Sequence, residues 1–118
     1  MINLDSIQRA VLVEGLDDHN GLWWVARKVR ETMGEVTTDM VREATIRRLR
    51  PLLVGGYIEA GYSPYQKGQY ESWDVDGDAA VERIAVEWSN LGKDPNIWEI
   101  CWFRNTEKGN ALARTLQE

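Results

Sequence analysis

Residues able to do chemistry are few in this chain, and they are scattered. The one histidine, His19, follows Asp17 and Asp18 in a short polar run. A metal or acid–base site there would need further ligands converging from elsewhere. Asp74, Asp76 and Asp78 flank Gly77 like the start of a calcium loop. Ala85, however, stands where the bidentate glutamate belongs, and the glycine falls at the wrong place. Helix capping is the better reading of these residues. Cys101, the one cysteine, lies in an apolar stretch with no histidine near it, and reads as a small buried hydrophobe. Asn90-Leu91-Gly92-Lys93 lacks the first glycine and the Ser/Thr of a phosphate loop. No catalytic residue, metal site or cofactor is therefore expected. What remains is a run of arginines, Arg42, Arg47, Arg48 and Arg50, in a segment with helical periodicity.

Charge is unevenly spread around that run. The 118 residues carry 14 Lys and Arg against 19 Asp and Glu, a net −5. Residues 21–56 hold seven basic and four acidic side chains, whereas residues 71–99 hold eight acidic and two basic. The acidity is thus an average of a basic stretch and an acidic one, and it does not exclude nucleic acid. Six Trp and four Tyr against a single Phe hint at a half-dry contact surface. No apolar run approaches the ~20 residues needed to span a bilayer, so no membrane partner is expected. Met1-Ile2-Asn3-Leu4-Asp5 is not the start of a signal peptide, and a reducing cytoplasmic setting is the expectation. The length suits one domain, residues 1–118.

Several elements can be placed. Asp5 with Gln8 three residues on forms a capping box for a first helix, which fades near Gly15. Residues 17–21 read as a loop. Leu22, Val25, Ala26, Val29 and Met33 form the stripe of a second helix, stopped by Gly34. Thr37-Thr38 caps a third. Val41, Thr45, Ile46, Leu49, Leu52 and Leu53 are assigned inward, leaving Met40, Glu43, Ala44 and Arg47 opposite. Pro51 is expected to kink or end this helix. Residues 57–62 read as a strand, 64–68 as a turn and 69–75 as a return strand. Val81, Ile84, Ala85, Trp88 and Leu91 give a helix over about 78–91. Ile97 to Arg104 reads as a strand buried on both faces, with Trp98, Ile100 and Trp102 on one side. Thr106 caps a last helix, 106–117, in which Leu112 and Leu116 share a face.

This α+β pattern resembles a winged helix-turn-helix domain, MarR-like or PadR-like in general outline. Three pieces carry the resemblance. The first is the turn Gly34-Glu35-Val36-Thr37-Thr38 between two helices. The second is Ile46-Arg47-Arg48-Leu49 to Leu52, followed by Gly56-Tyr57-Ile58-Glu59-Ala60-Gly61. The third is the exit Trp102-Phe103-Arg104-Asn105-Thr106-Glu107-Lys108-Gly109. The sequence departs from the pattern between Gly61 and Ile97, where the wing holds an extra helix. A helical core (6–56), wing strands with an insertion (57–104) and a C-terminal helix are implied.

The resemblance implies a small regulator that binds double-stranded DNA through its third helix. Met40, Glu43, Arg47, Arg48 and Arg50 would meet the major groove, and Thr38 a phosphate. Gln66 and Lys67 at the wing tip would touch backbone or minor groove. A homodimer is expected, with Trp24, Leu112 and Leu116 as candidate contacts. The acidic segment 71–99 should then point away from DNA. The alternative is a protein-interaction module on the same scaffold, with that acidic segment as the partner surface.

Overall fold

The computed structural model describes residues 3–16 and 18–117, and Asp17 of the polar run lies outside them. Helix α1 (Ser6–Glu14) begins at the capping box of Asp5 and Gln8: each backbone N–H donates to the other residue's side chain, at 2.8 Å. Strand β1 (Asn20–Gly21) follows. Sequence reasoning placed these two residues in a loop, because a two-residue strand has no periodicity to detect. Its signal is tertiary, since Asn20 and Gly21 pair with Phe103 and Trp102 far along the chain.

Helix α2 (Leu22–Met33) buries Leu22, Val25, Ala26 and Val29 and stops at Gly34. Helix α3 (Thr38–Val54) starts from Thr37, whose hydroxyl accepts from the Met40 N–H. Proline at position 51 does not end it. The proline forgoes the bond its N–H would make to the Arg47 carbonyl, and the last turn is held instead by the burial of Leu52 and Leu53 and by the Gly55 N–H closing onto the Pro51 carbonyl.

Strand β2 (Ile58–Tyr62) leads into a short helix α4 (Pro64–Lys67), capped by Ser63, where a plain turn was expected. The return strand shrinks to β3 (Glu71–Ser72). Helix α5 (Gly77–Leu91) is capped by Asp76 and buries Ala80, Val81, Ile84 and Trp88. The expected strand from Ile97 is only β4 (Trp102–Asn105). Ile100 breaks it, with a left-handed φ of 64°. That conformation is rare for a β-branched residue, and it resets the alternation. Ile100 and Cys101 are both buried, while Trp98 is exposed. Helix α6 (Glu107–Leu116) closes the order.

The sheet is antiparallel, in the order β1-β4-β2-β3. Its central strand β4 receives a strand from before α2 and one from after α3, so the sheet ties both ends of the helical pair together. One core joins the helices to the sheet, with Leu12, Leu22, Val29, Leu49, Trp88 and Phe103 at its centre. Burial of large apolar side chains on this scale is the main force holding the fold.

Candidate functional site

Helix α3 presents a single exposed stripe, Met40, Glu43, Arg47, Arg50 and Val54, spaced three or four residues apart. Two assignments on this helix need correction. Ala44 is buried and Ile46 only half-buried. The inward face follows the helical period through Val41, Ala44, Thr45, Leu49, Leu52 and Leu53. Ile46 falls outside that arc and is half-covered from another side by α5.

Arg48 leaves the expected recognition set. Its Nε lies 2.9 Å from Asp5 Oδ2, close but out of hydrogen-bond alignment. Its Nη1 donates to the Ala44 carbonyl at 3.0 Å. Thr38 is half-buried in the first turn, and the capping oxygen belongs to Thr37. Arg42 is paired with Asp39 at 2.8 Å. Arg47 and Arg50 have no ion-pair partner among the described residues.

The insertion, expected to point away from any DNA held by α3, lies directly against that helix. Helix α5 packs along α3 more extensively than any other two elements pack together. The contact is close because position 77 is glycine, and a methyl group there would overlap the Leu53 carbonyl. A groove floored by Ile46 and Ala85 runs between the two helices.

Gln66 and Lys67 lie elsewhere. The Gln66 side chain is turned back to accept from the Ser63 N–H at 2.9 Å, and Gln66 borders a cleft with Glu87 and Asn90 of α5. The Lys67 ammonium sits 4.7 Å from the centre of the Tyr62 ring. The residues expected to clamp DNA are thus not gathered on one surface.

The expected dimer contacts are also partly used. Trp24, Leu112 and Leu116 are half-buried and pack against the core. Trp24 is further covered by the Lys28 ammonium, 4.5 Å from its ring centre. Helix α6 is seated on α1.

The exposed aromatics gather on a different face, which sequence reasoning missed. Trp98 is 51% exposed and Tyr65 63%. Tyr65 lies 6.1 Å from Trp102, ring centre to ring centre. Trp102 donates its indole N–H to the Ile97 carbonyl at 2.7 Å, which fixes the segment that carries Trp98. Trp23 and Trp102 both pack into the space that a side chain at Gly21 would fill. Trp23 and Trp98 line a cleft of about 420 Å³ between α2 and residues 94–98. Arg27 stands at its rim, and an Arg30–Asp94 ion pair of 2.6 Å closes its end. The ledge therefore has apolar walls and charged edges, the make-up of a contact surface. The tryptophan-rich composition was its only sequence signal. Positions 23, 65, 98 and 102 share no periodicity.

His19 has a structural part. Its ring stacks on Tyr70 at 4.6 Å and 7°. The Tyr70 hydroxyl donates to Glu59 Oε1 at 3.3 Å. Burial first, and the neighbouring Glu59 carboxylate second, push the Tyr70 phenol well above its ordinary range. The buried Cys101 thiol is likewise pushed up by burial. No cluster of three or more His, Cys, Asp or Glu able to hold a metal occurs among the described residues.

Comparison with protein-family models, curated proteins and solved structures finds no match for this chain. The candidate site rests on its own geometry. No helix is long and apolar enough to cross a membrane among the described residues.

Proposed function

We propose that this chain is a protein-interaction module on a winged-helix scaffold, with the aromatic ledge as its contact face. The winged-helix reading is supported by the sheet order: the strand before the helix-turn-helix pair and the strand after it both flank β4. The ledge carries the functional reading. Two aromatic side chains more than half exposed, beside two half-buried tryptophans, are the kind of anchors that dominate binding energy at interfaces. The proposed contact is thus the ledge, not the acidic face of the insertion.

A second reading, DNA binding through α3, is favoured by one observation: Arg47 and Arg50 are exposed and unpaired among the described residues. Against it stands α5, whose outward Asp78 and Glu82 flank the same helix and repel phosphate.

A labelled nonspecific duplex, titrated with the protein at low and moderate salt, separates the two. No binding is expected even at low salt, where phosphate attraction is strongest. Salt-sensitive binding lost in Arg47→Ala and Arg50→Ala would restore the DNA reading. In parallel, a partner that co-purifies with the wild type should be lost from the Trp98→Ala, Tyr65→Ala double variant. Retention by that variant would move the contact off the ledge.

A further inference from the structure

The face formed by α3 and α5 has an order of its own, separate from the ledge. The two helices run antiparallel, as two contacts establish. Gly77 lies against Leu53 and Val54, and Ala85 lies in the groove with Ile46, between Arg42 and Arg50. With about 1.5 Å of rise per residue on both helices, every outward residue of α5 acquires a height on α3. Glu82 falls at the height of Leu49, between Arg47 and Arg50. Asp78 falls near Leu53, within a turn of Arg50. Val86 falls at the height of Thr45, one residue from Ile46, and Ser89 comes level with Arg42, one residue from Glu43.

Exposed basic side chains of α3 and exposed acidic side chains of α5 therefore lie at the same height. The charges do not neutralise each other within the chain, since no ion pair joins Arg47 or Arg50 to Glu82 or Asp78 among the described residues. Apolar groups accompany them. Met40 (47% exposed), Val54 (48%) and Val86 (49%) project from the two helices, and Ile46 and Ala85 form a half-buried floor.

We infer that this face binds a second copy of the chain, about a two-fold axis running along the groove. Such an axis exchanges the two walls and preserves height. Each α3 then lies on the partner's α5, with Arg47 and Arg50 of one protomer facing the partner's Glu82. Val86 of one protomer meets the partner's Ile46, and Glu43 meets the partner's neutral Ser89. The alternative axis, across the helices, lays α3 on α3 and α5 on α5, and forgoes the pairing of the basic helix with the acidic one. A face that carries both halves of one complementary pattern is the signature of an isologous contact. Arg42 takes no part, because Asp39 already holds it.

The test is the mass of the full chain in solution, by sedimentation velocity across a concentration series at low salt. The wild type is expected at twice 13.6 kDa. Glu82→Arg, a substitution at an exposed site, should weaken the dimer by about tenfold or more, because like charges then face each other. Arg47→Glu with Arg50→Glu should do the same. Combining all three restores the complement with its sign reversed, and the dimer should return. Circular dichroism of each variant checks that the fold is kept. Trp98→Ala should leave the dimer intact, which separates this contact from the ledge. A wild type that stays monomeric at the highest concentration overturns the inference. So does a dimer indifferent to Glu82→Arg, or a triple variant that fails to reassociate.

Discussion

Arg47 and Arg48 are neighbours of the same type with different fates. One points into solvent from the α3 stripe, and the other folds back to Asp5 and the Ala44 carbonyl. The difference is one step of about 100° around the helix, implied by 3.6 residues per turn. It decides which arginine is a surface charge and which joins α3 to α1. Arg48→Ala should therefore lower stability by about 1 kcal/mol, the upper end for a partly shielded pair. Arg47→Ala should stay within about 0.5 kcal/mol of the wild type. Urea unfolding followed by circular dichroism reads both, and equal losses would contradict the assignment.

At the scale of elements, the exit from β4 into α6 joins sequence and packing most directly. Thr106 accepts from the Gly109 N–H as the α6 cap, and its hydroxyl lies 2.6 Å from the Gly56 carbonyl, to which it donates. Gly109 is glycine because a methyl group there would overlap the Tyr57 carbonyl. The Thr-x-x-Gly spacing is thus a cap and a close approach in one motif. Thr106→Ala should cost about 1 kcal/mol, as lost caps do. Gly109→Ala should cost more, about 1–3 kcal/mol, because its clash is with backbone that cannot rotate away. Thermal melts should rank the midpoints as wild type, Thr106→Ala, then Gly109→Ala. The reverse order for the two variants would remove the close-approach argument. Ile100 is the opposite kind of element feature. Its left-handed backbone, which costs about 1–3 kcal/mol in such conformations, lies next to the segment that carries Trp98. Strain at that point accompanies the exposed ledge.

Across the whole molecule, the segment 92–99 is held by charge as much as by apolar contact. Arg30 pairs with Asp94, and Lys93 with Glu99, each at 2.6 Å. Burial alone would raise the Glu99 carboxyl, but the Lys93 hydrogen bond and the Asn96 N–H together outweigh it and leave it below its ordinary value. A carboxylate depressed in the folded state stabilises that state above its unfolded value. The contribution is lost as pH falls through the depressed one. Lowering the pH below the ordinary glutamate range of about 4.3 should therefore loosen this segment before global unfolding. Tryptophan fluorescence should shift first, with helical dichroism unchanged. Coincident transitions, or a loosening on the alkaline side, would refute this.

Sequence alone determined the capping box of α1, the whole of α2, the extent of α5 and the Thr106 cap. Each is local: a side chain satisfies a backbone group within one turn, or an apolar stripe repeats with the helical period. Tertiary structure alone decided the rest. It made Asn20 and Gly21 a strand, shortened the run from Ile97, laid α5 along α3 and gathered Trp23, Tyr65, Trp98 and Trp102 on one face. Those outcomes depend on pairings between residues far apart in the chain, and periodicity carries no record of them. The charge asymmetry was legible from the start as a basic stretch and an acidic one. Only the packing of α5 against α3 brought the two side by side.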